Sequence, residues 1–418
     1  MFKFLLLFLW AILPTIALAQ NVQNLFQDAQ KAYQAKEYAR FLVIYQTLDS
    51  LRPMHPTVLY NLSAGHALNN NTKKALETLE KLILINASTA IRQDSDFVSL
   101  WKNVDFKRIN QKIDDLRIPI QNSQEAFRIK EKDLHLESVG YDSKTKAFYG
   151  GCVHRRKIIQ IDAQGNVSDF TKEGDENIWA VLGIQVDAKN RVLWAVSSVT
   201  PEMKNYKANS KQESKVLKFD LTTQKLLAEY TLTDSKPHFF GDLILHPNGI
   251  VYISDSSTPT IYQIKPKENR ITIFKETSLR SLQGLTLNKK GDKMFIADYA
   301  SQLYVIDLPT QNILPVKIPA TVSAKGTDGL YFFNNSLIAI QNGIEPKRVI
   351  QFKLNKTQTE IVDFKVIEAN NSLFEEPTLG VLVGNIFYYV ANSSWGAYKN
   401  GELQTDKLGD IVIMKTTF

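Results

Sequence analysis

The chain has 418 residues, a formal net charge of +7 and a single cysteine, Cys152, which excludes an internal disulfide. Its composition, 44% hydrophobic and 22% charged, is that of a globular protein, and its length suffices for two domains. The positive charge is spread along the sequence, without a basic helix or a basic run interleaved with aromatic residues. This argues against a nucleic-acid partner.

The N-terminal residues 1–19 have the three parts of a secretory signal peptide. Lys3 gives a positive start, Phe4–Leu13 is an apolar run, and Ala17-Leu18-Ala19 supplies small residues before a cleavage site at Gln20. A membrane anchor is the alternative, but Pro14 interrupts the apolar stretch, which is shorter than the roughly 20 residues of a spanning helix. We expect an exported protein, periplasmic or secreted, with no transmembrane span in the mature chain.

Residues 20–118 carry apolar side chains at three- and four-residue steps, which predicts helices. Pro53 and Pro56 separate two such stretches, and a polar turn, Asn69-Asn70-Asn71, divides the second. The pattern resembles two imperfect tetratricopeptide repeats, whose unit is about 34 residues, followed by a terminal helical cap. The resemblance implies a groove for a peptide or protein partner, or a helical domain that only packs against the rest of the protein. The sequence leaves these two alternatives open.

After Pro119 the apolar period changes from 3.6 to 2, which predicts strands over residues 122–418. A small or polar residue, an apolar residue, a short polar turn and an aromatic-rich apolar run recur six times, starting at positions 138, 183, 242, 284, 329 and 380. These steps match the length of a four-stranded propeller blade. The sequence therefore predicts a mainly β protein, a six-bladed β-propeller, and disfavours a β-sandwich.

The predicted sixth blade lacks a fourth strand, because the sequence ends at Phe418. An unassigned segment, Ala126–Lys130, precedes the first blade. We expect it to pair with Ile411–Lys415 and to close the ring, since closure removes two open sheet edges.

Polar side chains are expected to surround one mouth of this propeller. The first strand of a blade runs along the axis and the second strand returns, so the start of one and the end of the other open on the same face. The residues before the first strands include Glu137, Gln283 and Asp328. Further mouth candidates are Asp242, Asp255, Asp298, Asn342 and Asn392. Oxygen-bearing side chains suit a hard divalent cation or a polar ligand, although some would only bind loop backbone.

Several segments of residues 130–395 resemble the gluconolactonase and senescence-marker-protein propellers, a superfamily that includes paraoxonases and strictosidine-synthase-like proteins. The segments are Leu136–Asp142, Gly241–Asp255, Leu282–Asp298 and Thr327–Leu330. The resemblance implies a divalent cation, usually calcium, on the axis. In hydrolytic members it polarises a lactone carbonyl or activates water.

The same resemblance implies that Glu137, Gln283 and Asp328 are the metal ligands. Two of the four ligand positions depart from the family pattern. Gln283 stands where the family has asparagine, and Gly241 stands where it commonly has asparagine.

A proton shuttle is expected in a hydrolase of this kind. His238 and His135 lie just before first strands and are candidates; the alternative is that they are ordinary loop histidines. Cys152 fits a small buried strand residue better than a nucleophile.

Two functions remain compatible with the sequence. One is a metal-dependent hydrolase that takes a lactone or similar ester at the propeller mouth. The other is a non-catalytic protein whose mouth and helical region bind a small molecule, a sugar, a peptide or a protein. The lost asparagines favour the second function. Glu137 and Asp328 favour the first, because acidic side chains facing a channel are costly without a counter-charge.

Overall fold

The computed structural model describes the backbone of residues 13–418 and the side chains of residues 21–418 apart from Glu176. Residues 1–12, which carry most of the predicted signal peptide, lie outside the described residues. Residue contacts divide the chain into two compact units, Met1–Arg117 and Ile118–Phe418. No helix in the described part is long and apolar enough to cross a membrane.

The first unit is helical throughout its described residues. Helices pack against their chain neighbours, and a short 3₁₀ helix, Ser95–Leu100, follows the fourth. The α-helices are α1 Leu13–Gln34, α2 Tyr38–Leu51, α3 Pro56–Leu68, α4 Thr72–Ile83 and α5 Val104–Leu116.

Local sequence explains where these helices begin and how closely they pack. Pro56 occupies the first turn of α3, where its missing N–H removes no helical hydrogen bond. Asn103 caps α5, its side chain accepting from the N–H groups of Asp105 and Phe106. Gly65 of α3 lies against Leu42 of α2, and an added Cβ would be 3.3 Å from the Leu42 Cα. The sequence thus builds a small bundle of helical hairpins, which supports the expected helical region and only in part its tetratricopeptide character.

The second unit, residues 118–418, confirms the predicted six-bladed propeller. Each blade is a four-stranded antiparallel sheet, and the strands of blades 1 to 4 follow the chain order from the axis outward. Blade 1 has Leu136–Asp142, Ala147–Cys152, Lys157–Ile161 and Val167–Asp169; blade 2 has Ala180–Asp187, Val192–Ser198, Ser214–Asp220 and Leu226–Thr231; blade 3 has Phe240–Leu245, Val251–Asp255, Thr260–Ile264 and Thr272–Glu276. Blade 4 has Leu282–Leu287, Lys293–Asp298, Leu303–Asp307 and Asn312–Pro315; blade 5 has Thr327–Phe333, Ser336–Gln341, Arg348–Leu354 and Ile361–Ala369; blade 6 has Gly380–Val383, Ile386–Val390, Ile411–Thr417 and Gln124–Ile129.

The ring closes as the sequence predicts. Gln124–Ile129 pairs antiparallel with Ile411–Thr417, with Phe127 opposite Ile413. The inner strands of neighbouring blades contact one another all the way around the axis, including blade 6 against blade 1. Closure gives blade 6 its fourth strand and buries the apolar side chains of both chain ends in one cluster.

Two small strand pairs were not anticipated from the sequence. Ile120–Gln121 adds a short fifth strand to the outer edge of blade 5. Its continuation is anchored by the buried carboxylate of Glu368, which accepts from the N–H groups of Asn122 and Ser123. A second pair, Tyr398–Lys399 with Glu402–Leu403, forms a hairpin in the loop that follows the second strand of blade 6.

The apolar core of the propeller lies between adjacent blades. Between blades 2 and 3, for example, Val196 and Val216 belong to one buried cluster with Leu243 and Ile253. Each strand therefore alternates between two neighbouring blades, as the period of two requires. This packing leaves the entry of the inner strands to form the wall of the axial mouth.

Candidate functional site

The inner strands carry β-bulges where they enter the propeller from the mouth face. In blades 1 to 5 the register shifts within the first residues, between Leu136 and Ser138, Val181 and Ile184, Phe240 and Leu243, Leu282 and Leu285, and Thr327 and Leu330. A bulge sets two residues opposite one and turns a side chain away from the regular alternation. It is at these bulges that Glu137, Gln283 and Asp328 occur.

Glycines next to the bulges let the inner strands approach one another closely. A Cβ on Gly284 would clash with the backbone carbonyl oxygen of Asp328 in the next blade. A Cβ on Gly183 would lie 2.8 Å from Oδ1 of Asp242. The recurrent small residue in the sequence pattern therefore has a spatial cause: only glycine has room there.

The bulges line one cavity of about 230 Å³ at the mouth. The residues that precede the inner strands all contribute to it, together with side chains from three other loops. The lining residues are Glu137, Leu182, Phe239, Gly241, Asp242, Gln283, Tyr299, Asp328, Asn342, Glu376, Leu379 and Trp395. The three predicted metal ligands and the mouth candidates Asp242 and Asn342 thus face the same space.

Glu137 is held in a fixed orientation by donors from blade 6. Its Oε2 accepts hydrogen bonds from Ser393 Oγ and from Trp395 Nε1, both at 2.7 Å. The side chain is 7% exposed. Burial, and then the charge of Asp328, raise the pKa of Glu137 well above its usual range, although the two donors oppose the shift.

Asp328 is held by Asn342, whose Nδ2 donates to Asp328 Oδ2 at 2.8 Å and to the carbonyl oxygen of Pro377 at 3.1 Å. Burial and the nearby charge of Glu376 raise the pKa of Asp328 to about 7. The other amide atom, Asn342 Oδ1, is buried and has no hydrogen-bond partner among the described residues. An oxygen left in this state indicates a place for a donor or a cation that the chain does not itself supply.

Two further carboxyl groups complete the acidic lining. Asp242 is buried, and burial raises its pKa to about 7 even though the N–H of Leu243 donates to it. Burial also raises the pKa of Glu376. Glu376 was missed in the sequence because it lies in a loop before the inner strand of blade 6, where no periodic pattern marks it.

Among the described residues, no lysine, arginine or histidine lines this cavity. The aromatic side chains of Phe239, Tyr299 and Trp395 form the rest of its polar-to-apolar boundary. The cavity therefore combines four carboxyl groups with aromatic surface and repels anions.

The oxygens of this cavity fit a hard divalent cation by their chemistry. Glu137, Asp328, Gln283 and Asn342 offer carboxylate and amide oxygens only, the ligand type that calcium prefers. Within the described residues, no group of three or more His, Cys, Asp or Glu side chains is placed to hold a metal ion. A cation at this site would therefore depend on the two amide oxygens as well as on the carboxylates.

Three other mouth candidates lie outside the cavity and hold loops instead. Asp255 accepts from the N–H groups of Phe239, Ser257 and Thr258, and Asp298 accepts from backbone N–H groups of residues 280, 281 and 300. Asn392 bridges the N–H of Val412 and the carbonyl oxygen of Asp410. Their recurrence at the ends of second strands follows from turn chemistry.

Neither histidine candidate lines the cavity. His238 is buried, with Nδ1 2.6 Å from Asp255 Oδ2 and Nε2 2.7 Å from Asp234 Oδ1. His135 is fully buried, its Nδ1 2.8 Å from the Tyr398 hydroxyl, and burial lowers its pKa to about 3. Cys152 is also fully buried, and burial raises the pKa of its thiol.

Trp395 has a larger role than the sequence indicates. Its indole N–H binds Glu137, and its ring meets the His135 ring edge-on at a centroid distance of 4.7 Å. It lies in a short 3₁₀ helix, Trp395–Ala397, within the long loop of blade 6. This loop supplies both donors that orient Glu137.

No protein-family model matches the chain, and no curated protein matches it. Among solved structures, it is similar to a gluconolactonase from Xanthomonas campestris at 9% identity, with a TM-score of 0.48, covering 73% of this chain and 92% of that one. It is also similar to the PQQ-bound aldose sugar dehydrogenase from Streptomyces coelicolor, with 13% identity, a TM-score of 0.47 and coverage of 72% and 100%. A third is regucalcin, a calcium-binding protein from Agrobacterium tumefaciens, with 14% identity, a TM-score of 0.47 and coverage of 70% and 93%.

Proposed function

We propose that the mouth cavity binds a neutral lactone or ester together with a divalent cation, calcium being the best match, and hydrolyses it. The observation that carries the proposal is the pairing of Glu137 and Asp328 in one cavity that no basic side chain of the described residues lines. Two carboxylates in this position repel each other and are poorly hydrated, so a bound cation would stabilise their charged forms.

The chain's own residues prepare this site. Ser393 and Trp395 occupy one oxygen of Glu137, and Asn342 occupies one oxygen of Asp328, so that each carboxyl group keeps a second oxygen for a ligand. When bound, a divalent cation would act as a Lewis acid toward a carbonyl oxygen. The carboxyl groups, whose pKa values are raised toward neutrality, are suited to accept or return a proton during ester cleavage.

The lining also indicates the class of ligand. Phe239 and Trp395 offer apolar surface beside the acidic groups, and the carboxyl groups disfavour a substrate that carries its own negative charge. The resemblance described for the sequence supports a lactone as the ester. Export, expected from residues 1–19, remains a prediction.

The proposal is tested by titrating the purified, chelator-treated protein with calcium in a calorimeter. We expect one site, and we expect E137Q and D328N each to weaken Kd at least tenfold, because each removes a charged oxygen ligand, about 1.4 kcal/mol or more. The control is E375Q, which neutralises an exposed neighbour of Glu376 and should bind calcium as the wild type does.

Lactone turnover measured on the same samples distinguishes the two functions. Loss of turnover in E137Q and D328N, with wild-type turnover in E375Q, supports the hydrolase. A wild-type protein that binds no calcium, magnesium or manganese and turns over no lactone contradicts it. The exposed apolar side chains of Val98, Trp101 and Val104 on the helical unit would then favour the partner-binding alternative.

A further inference from the structure

Gly241 and Gln283 occupy equivalent places at the entries of two neighbouring inner strands, in blades 3 and 4. Both line the mouth cavity, and their strands contact each other. A Cβ added to Gly241 would lie 2.9 Å from Oε1 of Gln283 and 4.0 Å from its Cδ. The carboxamide of Gln283 therefore occupies the space in which a side chain at position 241 would stand.

The length of the side chain at position 283 makes this arrangement possible. Glutamine is one methylene longer than asparagine, and the extra reach lets its oxygen extend over the neighbouring strand. The converse also holds, because real Cβ atoms essentially never come within 3.0 Å of such a neighbour. Any larger residue at position 241 would displace the Gln283 carboxamide or would itself have to move.

No hydrogen bond to another described side chain is recorded for the Gln283 carboxamide, which sits partly exposed in the cavity wall. Its position is fixed by the room above Gly241 and not by a polar partner. Its oxygen is consequently free to meet a ligand.

We infer that Gln283 serves two blade positions at once: its carboxamide replaces the side chain that Gly241 lacks, so the two residues form one coupled unit of the site. The two departures from the pattern of ligand positions are then a single compensated change. The consequence for cation binding rests on the function proposed above, whereas the steric coupling of the two residues does not.

The steric coupling is tested by thermal unfolding of G241A, Q283A and the double variant, without added metal. We expect G241A to lower Tm in the wild-type background, because its Cβ meets the Gln283 oxygen, and to lower it less by at least about 2 °C when residue 283 is alanine. G409A is the control, since nothing lies within 4 Å of a Cβ at Gly409. Strictly additive changes in Tm would overturn the inference.

The consequence for binding is tested by calcium titration of G241N, Q283N and G241N/Q283N. Each single variant should raise Kd about tenfold, and the double variant should return to within about threefold of the wild type, because two shorter amides then fill the two positions. A double variant as weak as the product of the singles would overturn the inference. A wild-type protein that binds no calcium overturns the proposed function alone, and the Tm cycle still decides the coupling.

Discussion

The acidic residues of the mouth owe their properties to their neighbours. Glu137 and Asp328 face one cavity, and burial raises the pKa of both carboxyl groups. Trp395 and Ser393 contact Glu137 from a loop more than 250 residues further along the chain, the separation from Glu137 to Ser393 being 256. A single charged residue in the sequence therefore gains its chemical character only when distant donors and acids are assembled around it.

The raised pKa of Asp328 predicts how stability depends on pH when cations are removed. The folded protein holds the proton up to about pH 7, whereas the unfolded chain releases it near the ordinary value of 3.8. The stabilisation is complete below about pH 4 and is lost as the pH rises to about 7, at about 1.4 kcal/mol per pH unit for each such proton.

We therefore expect urea unfolding in chelator to show a free energy of unfolding that decreases between pH 4 and 7, and a shallower decrease for D328N. D406N, which changes an exposed carboxylate, should follow the wild-type slope. Identical slopes for D328N and the wild type would show that Asp328 does not hold the proton.

At the scale of elements, the bulges and the closing strand do the organising. The bulges turn residues that precede the inner strands into the cavity, and the glycines beside them let neighbouring blades meet. The closing strand, Gln124–Ile129, ties the start of the propeller to its last blade, the same blade whose loop carries Trp395. The fold and the site therefore depend on the same element.

The closing strand predicts a specific loss of stability. Ile129 is fully buried in the cluster between blades 6 and 1, and I129A should lower the free energy of unfolding by about 2–5 kcal/mol. Chemical denaturation measures this. R128A, at the exposed neighbouring position, should change the free energy by less than about 0.5 kcal/mol. Equal effects of the two variants would contradict the role of the strand.

At the scale of the whole molecule, the net charge and the charge of the cavity have opposite signs. The chain carries +7, yet the mouth is lined by four carboxyl groups and by no basic side chain of the described residues. A ligand inside the cavity is surrounded by the local groups, because the surface charges are screened over about 10 Å at ordinary salt.

This difference predicts charge selection. A neutral lactone should have a kcat/KM at least about tenfold higher than an analogue of the same size that carries a carboxylate. In E376Q the preference should shrink, since one repelling group is removed from the wall. Steady-state kinetics on the two substrates measure it, and equal values for both substrates would rule out an acidic binding cavity.

Much of the fold could be predicted from the sequence because a propeller repeats one local pattern. The six strand pairs, the unpaired segment before blade 1 and the residues that precede the inner strands all follow from spacing and alternation. The resemblance to a known family added a set of expected ligands. The short strand at Ile120–Gln121 could not be predicted, since two residues carry no periodicity.

The membership of the cavity was harder to predict. Asp255, Asp298 and Asn392 recur at equivalent strand ends just as Asn342 nearly does, yet they bind loop backbone while Asn342 faces the cavity. One residue of difference along a strand end moves a side chain to the other side of the sheet. Spacing alone does not resolve such a shift when loops of different length follow.

The sequence by itself determined a mainly β propeller of six blades, its closure, and the positions of Glu137, Gln283 and Asp328 at the blade entries, because these depend on local alternation and repeat length. Only the tertiary structure decided that Glu376 and Trp395 join them, that both histidine candidates lie elsewhere, and that Gln283 fills the place left by Gly241. Those outcomes depend on contacts between segments far apart in the chain, which form only when the ring closes.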